Sequence, residues 1–391
     1  MWLGVLRPRD LHARVLAGLL APCACATPVG ETGAAATTGA DTSDTSFAGA
    51  STSATGPAAD LPPPDTWLLR GGVIAGVGPA DVRVAGETIV AVGALGPLPG
   101  EPVTDVVGSF LAPAFIDSHV HLVYLPNTPN LVRNGLAGVV DLAAPLSVFE
   151  ADFEPLRTRL AGPMITAVGG YPTQGWGVGG YGLECADAAA AEAAVDQLHD
   201  LGAGVIKVPI TGPPQLDDAA LAAAAVRAHA FGLKVVSHAL GDAEALRASA
   251  AGADALAHTP VAPLAEATLG AWSGRAVIST LKAFGGGPAV TNLAALRERG
   301  ATVLYGTDYG NSYVPGIDRR ELELLLEAGL TPAELLAAGT SVPAAYWGFD
   351  TLGAIAPGKD ASLLVLAADP LADPLVLAEP TRVLIRGEWR E

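Results

Sequence analysis

The stretch FLAPAFIDSHVH, residues 110–121, runs from an apolar strand-like segment, Phe110 to Ile116, straight into two histidines one residue apart, His119 and His121. Because side chains alternate along a strand, both imidazoles project to one side of its end, with Ser118 and Val120 turned away. Four later apolar runs end in the same way. They carry Lys207 in GVIKVPI, His238 in KVVSH, His258 in DALAH and Asp308 in ATVLYGTD. Runs of this kind, apolar on both faces, read as buried parallel strands.

Working outward, eight such runs follow one another: FIDSHVH, GLAGVVDL, PMITAVGG, AGVIKVPI, LKVVSHA, DALAHT, RAVISTL and ATVLYGTD. Helical patterns rich in Ala and Leu separate several of them, over 187–201, 217–231 and 242–251, with Gly202, Gly232 and Gly252 where carboxy-terminal caps belong. Strand alternating with helix predicts an α/β fold with a parallel sheet, and residues 111–352 approach the ~250 residues of a TIM-like (β/α)8 barrel. Segments 65–110 and 353–391 read instead as short strands punctuated by Gly and Pro, and are expected to pair into a small β-sandwich.

The amino terminus has a different character. Arg7, Arg9 and Arg14 precede the short apolar stretch Val15 to Ala21, the layout of a signal peptide over 1–26. LAPC resembles a bacterial lipoprotein processing site at Cys23, and cleavage after Ala26 is the alternative. Residues 27–64, dominated by Thr, Ser, Ala, Gly and Pro, are expected to form a disordered linker. The expectation is therefore an exported protein, either lipid-anchored in a bacterial envelope or periplasmic or secreted, touching a membrane only through that anchor.

The formal charge of -18 argues against nucleic acid as a partner, since phosphate backbones call for clustered Lys and Arg. A small molecule is the expected partner. Three cysteines, two of them in the leader, leave no Cys-rich metal site to be read, so any metal must rest on N and O ligands.

In a parallel barrel, residues past the ends of different strands converge on one face. Four of the seven histidines stand at such ends, and imidazole nitrogen with carboxylate oxygen from Asp308 suits zinc. Lys207 lies inside an apolar run, where an unpaired ammonium is costly. Two solutions are open: a salt bridge, or addition of carbon dioxide to the neutral amine, giving an anionic carbamate that can bridge two metals.

This ordered set resembles the amidohydrolase superfamily over roughly Trp67 to Glu391, within its binuclear branch carrying a carboxylated lysine, close to prolidase-type dipeptidases. The closing LGAIAPGKDASLLVLAADPL is also similar to that family's return to its sandwich. The resemblance implies two divalent metal ions, zinc foremost, with a CO2-derived carbamate on Lys207 between them. It places His119, His121 and Asp308 on one ion and His238 and His258 on the other. It further implies a metal-bridging hydroxide that attacks a carbonyl carbon, with catalytic Asp308 moving the proton to the leaving amine. Two features depart from the family pattern: AFID stands where a Gly is common, and the segment between His258 and strand seven is short.

Substrate-facing residues are read from loops. Tyr124 follows the histidine pair, Trp176 and Tyr181 lie in YPTQGWGVGGYG after strand three, and Lys282 follows strand seven, where it could meet a substrate carboxylate. The expected activity is hydrolysis of amide, peptide or cyclic amide C–N bonds. The alternatives are ester, lactone or phosphoester hydrolysis at the same site, and a non-catalytic exported binding protein.

Overall fold

The computed structural model describes residues 65–391. The expected leader over 1–26, with Cys23 and Ala26, and the expected linker over 27–64 lie outside the described residues.

The first strands are β1 (Thr66–Ile74), β2 (Gly78–Ala85), β3 (Thr88–Gly93), β4 (Val103–Asp105) and β5 (Phe110–Pro113). The middle of the chain supplies β6 (Phe115–Val120), β7 (Leu136–Asp141), β8 (Arg157–Leu160), β9 (Met164–Ala167) and β10 (Gly182–Cys185). It continues with β11 (Val205–Pro209), β12 (Lys234–His238), β13 (Ala255–Leu256), β14 (Ala276–Ile278) and β15 (Thr302–Leu304). The end supplies β16 (Leu363–Leu366), β17 (Arg382–Ile385) and β18 (Glu388–Arg390).

An α/β fold with parallel sheets results, as the alternation predicts. β6, β7 and β8 form one parallel sheet and β11 to β15 another, in sequence order. Backbone hydrogen bonds reach between them: Gly204 N donates to the Leu160 carbonyl at 2.9 Å, Ser118 N to Tyr305 at 2.9 Å, and His121 N to Tyr309 at 2.7 Å. The close approach of β6 to the segment after β15 requires a residue without a side chain. A Cβ on Gly306 would stand 2.3 Å from Ile278 and 3.3 Å from the His119 Cβ. Two strands, β8 and β10, have no counterpart among the eight runs. β10 pairs in parallel with β9, which is the PMITAVGG run.

Helices α1 (Thr128–Arg133), α2 (Ala188–Asp200), α3 (Asp218–Ala230) and α4 (Asp242–Ala250) follow the first strands of this body. Asp187 and Asp217 cap α2 and α3, accepting from Ala190 N and Ala220 N at 2.9 and 2.8 Å. At α4 the cap is Gly241, which has no side chain to give, and Glu244 accepts its N–H at 2.9 Å instead. Gly202, Gly232 and Gly252 close these helices with φ of 95°, 71° and 96°, a conformation that favours glycine. The later helices are α5 (Glu266–Ala271), α6 (Pro288–Glu298), α7 (Arg319–Glu327), α8 (Pro332–Gly339) and α9 (Ser341–Trp347). Among the described residues no helix is long and apolar enough to cross a membrane.

Both ends of the described chain enter one sheet, in the order β18-β17-β16-β5-β1-β2-β3 with β4 on β1. β16 runs antiparallel to β5, Leu363 opposite Pro113 and Leu366 opposite Phe110. Alternation along β16 serves two cores. Leu363 and Val365 pack with Leu69, Val82 and Leu111, whereas Leu364 and Leu366 join the large core that also holds Phe115, Val205 and Leu304.

Candidate metal centre

His119 and His121 sit at the end of β6, both buried. Their Nδ1 atoms lie 2.8 Å from the Ala257 carbonyl and 3.1 Å from the Ala143 carbonyl. A carbonyl oxygen only accepts, so Nδ1 carries the proton and Nε2 presents its lone pair. Both Nε2 atoms point at Asp308 Oδ1, at 3.5 Å from His119 and 3.1 Å from His121. These three side chains form a cluster able to hold a metal ion. Burial first, then the positive charge of Lys207, holds the His119 imidazole well below its usual pKa, which keeps the ring neutral.

Asp308 follows β15 with φ of 54°, a left-handed backbone that Asp tolerates better than most residues. Its carbonyl accepts from Asn311 N and Ser312 N at 3.0 and 2.8 Å, and Oδ1 accepts from Asn311 Nδ2 at 3.1 Å. The preceding Thr307 is clamped by buried Asp117, which accepts from Thr307 Oγ1 at 2.6 Å, Thr307 N at 3.1 Å and His119 N at 3.0 Å. Asp117 thus ties the two ligand-bearing segments together.

The other expected residues stand close by. The His258 ring lies 4.5 Å from His119 and 4.8 Å from His238, centroid to centroid, and its Nδ1 is 3.0 Å from Thr280 Oγ1. Burial, ahead of the neighbouring imidazoles, holds His258 well below the usual range. Lys207, in the middle of β11, is completely buried and its Nζ has no hydrogen-bond partner. Desolvation brings its amine down to about 7, opposed by the carboxylates of Asp308 and Asp141. Among the described residues His119 Nε2 is the one imidazole nitrogen that is likewise buried without a hydrogen bond.

Three of the four expected substrate residues gather beside these imidazoles. Trp176 lies 5.3 Å from the His121 ring, 5.4 Å from Tyr124 and 5.3 Å from Tyr181. Lys282 is engaged elsewhere: its Nζ donates to Asp318, and its backbone N to Glu321 Oε2 at 2.7 Å. Two aromatic neighbours were not anticipated. Tyr171 stacks on His238 at 4.9 Å and its hydroxyl accepts from Trp176 Nε1 at 2.7 Å, while Phe284 meets His258 at 4.6 Å. Both occupy the same post-strand loops as Trp176 and Lys282, and that shared location was the available signal. Asp141, buried at the end of β7 and accepting from Leu122 N and Ala143 N, was also missed.

Comparison with known proteins was made on this geometry. The Amidohydrolase family matches residues 158–390. The adenine deaminase of Deinococcus radiodurans is 30% identical over 309 residues, 73% of this chain and 55% of that protein. The chain spans about half, or less, of the length of the first curated relatives it matches. In fold it is similar to an Xaa-Pro dipeptidase solved with bound methionine, with a TM-score of 0.72, 20% identity, and coverage of 84% of this chain and 100% of that one. A prolidase complexed with N-methylphosphonate-L-proline gives a TM-score of 0.68 at 22% identity, covering 83% and 100%.

Proposed function

The chain belongs to the amidohydrolase family, and on that premise we propose that it is a metal-dependent hydrolase of C–N bonds in small molecules. The observation that carries this reading is the meeting of imidazoles and a carboxylate from the ends of separate strands beside an unpartnered buried amine in the middle of β11. The donor set fits metal ions. A lone pair on His119 Nε2 facing a carboxylate oxygen in a buried site is repulsive until a cation stands near both.

In this reading His119, His121 and Asp308 hold one divalent ion, His238 and His258 hold a second, and Lys207 serves both, with zinc as the metal. Ions bound there supply a lowered pKa to water and polarise the substrate carbonyl. The remaining work falls to the chain. The Ala257 and Ala143 carbonyls fix the orientation of His119 and His121. Asp308 Oδ1 is engaged by Asn311, which leaves Oδ2 to take a proton from the attacking water and pass it to the leaving nitrogen. Tyr171 accepts from Trp176 and retains its own proton to donate to the developing oxyanion. The Lys207 amine, neutral in a large fraction of molecules near pH 7, can add to carbon dioxide. An N–C bond forms, a proton leaves, and position 207 gains the negative charge that ligation needs.

The proposal also covers the wider architecture. The parallel strands would close as a (β/α)8 barrel over 111–352, a reading supported by the hydrogen bonds from Ser118 and His121 to Tyr305 and Tyr309. Segments 65–110 and 353–391 would form its β-sandwich. Export through residues 1–26, with or without a lipid on Cys23, is part of the same proposal, and the mass of the mature amino terminus tests it.

Elemental analysis and a screen of amides, lactams and dipeptides on zinc-reconstituted protein test the catalytic reading. Two ions per chain are expected, with Lys207→Ala retaining one or none and losing at least 100-fold in turnover. Full activity in that variant would remove the binuclear assignment.

A further inference from the structure

Thr280 follows β14 and is completely buried. Its φ of 43° lies in the left-handed region, where a β-branched side chain is an outlier and glycine is the ordinary occupant. A backbone of this kind persists only where its surroundings hold it, and such strain gathers where a particular side chain is needed. What Thr280 brings that glycine lacks is a hydroxyl, and that Oγ1 stands 3.0 Å from His258 Nδ1.

The hold on Thr280 comes largely from α7. Glu321, buried in the first turn of that helix, accepts from Leu281 N through Oε1 at 2.9 Å and from Lys282 N through Oε2 at 2.7 Å. The Ser279 side chain reaches the same carboxyl, so residues on both sides of Thr280 are fastened to it. Thr280 N itself donates to the Gly306 carbonyl at 3.1 Å. Thr259 Oγ1, one residue after His258, donates to the Ser279 carbonyl at 3.0 Å, which ties the His258 segment to the same loop.

The His258 ring is packed by His119, His238 and Phe284, with centroids 4.5, 4.8 and 4.6 Å away. Such contacts fix the plane of the ring but not which nitrogen carries the proton. When Nε2 is given to an ion, Nδ1 must hold the proton and needs an acceptor. Carbonyls serve His119 and His121 in this way, and the Thr280 hydroxyl stands in the corresponding place for His258.

We infer that Thr280, held in its left-handed conformation by Glu321, is a positioning residue for His258: it accepts the Nδ1 hydrogen bond and so keeps Nε2 free for the second divalent ion. The inference rests on the binuclear reading above and deepens it, since the second ion's site is then governed from α7, a helix that supplies none of the ligands in that reading.

Cobalt(II) titrations of metal-free protein, followed by calorimetry and visible absorption, test it beside thermal melts. The wild type is expected to take up two ions. Thr280→Gly removes the hydroxyl and relieves the backbone, so its melting temperature should stay close to that of Thr280→Ser while the second ion binds about 10-fold or more weakly and the first ion is unaffected. Thr280→Ser keeps the hydroxyl and should bind both ions as the wild type does. Glu321→Gln sets one acceptor and one amide donor against two N–H groups, and should weaken the second ion alone. Wild-type uptake of both ions by Thr280→Gly or by a folded Glu321→Gln overturns the inference and leaves the binuclear reading standing. An equal loss in Thr280→Ser and Thr280→Gly, or a loss that only follows a lower melting temperature, assigns Thr280 to packing and overturns it too. The Thr280 pair decides the matter by itself if Glu321→Gln does not fold. A wild type that takes up one ion or none removes the binuclear reading, and this inference with it.

Discussion

At the scale of single residues, the site is built on protonation states that burial dictates. His119 is neutral because burial, with the charge of Lys207, outweighs the Ala257 hydrogen bond that favours the protonated ring. In the proposed reading Asp308 both ligates and moves a proton. Asp308→Asn keeps the shape and the Asn311 contact but removes the basic oxygen, so turnover is expected to fall by about 100-fold or more with the thermal transition nearly unmoved. Turnover within a few-fold of wild type would exclude Asp308 from proton transfer. Five of the six candidate ligands were legible in the sequence because each is a polar residue ending an apolar run, and Lys207 because it interrupts one, where a bland residue would serve a core better. Tyr171 and Phe284 were not, since an aromatic residue in a loop faces a site or solvent according to backbone turns that no periodicity records. The ion pair of Lys282 was hidden for a related reason: its partner Asp318 lies across a loop, on the amino-terminal cap of α7.

At the scale of elements, helix starts were readable wherever an Asp precedes an Ala-rich run, as at Asp187 and Asp217. One parallel strand, β8, was not readable. β8 carries Arg157 and Arg159 in RTRL, and its half-polar pattern hides a parallel strand. The start of α8 offers a measurable electrostatic device. Glu334 accepts from Thr331 N and Oγ1 at 2.8 Å and from Arg297 at 2.8 Å, and these contacts, the Thr331 backbone first, hold its carboxyl down at about 2. A carboxyl with a folded pKa below its usual 4.5 stabilises the fold above pH 4.5 and loses that contribution as pH falls toward 2. Glu334 is 47% exposed, so screening limits the effect to about 1 kcal/mol or less. Melting curves of Glu334→Gln and wild type should differ most between pH 5 and 7, by roughly 2 °C, and converge only as pH approaches about 2. A gap that does not change with pH would assign the role of Glu334 to packing alone.

At the scale of the whole molecule, the sequence showed that the chain ends resemble each other in style, and the structure shows that they share one sheet. What no local pattern could reveal is that β16 feeds two cores at once. Its even-numbered residues, with Val383 and Ile385 of β17, lie in the large core together with Phe115, Ile116 and Val120 of β6. Removal of residues 353–391 is therefore expected to abolish cooperative folding rather than trim a dispensable appendage. Loss of a sharp thermal transition in circular dichroism checks this, and a soluble 65–352 fragment with native metal content would contradict it.

The pairing of Pro113 with Leu363 also sets a timetable for biosynthesis. β5 is synthesised well before β16 and keeps an open hydrogen-bonding edge until that strand has been made. Until then both cores lack the strand that they share, so neither can close before β16 is in place.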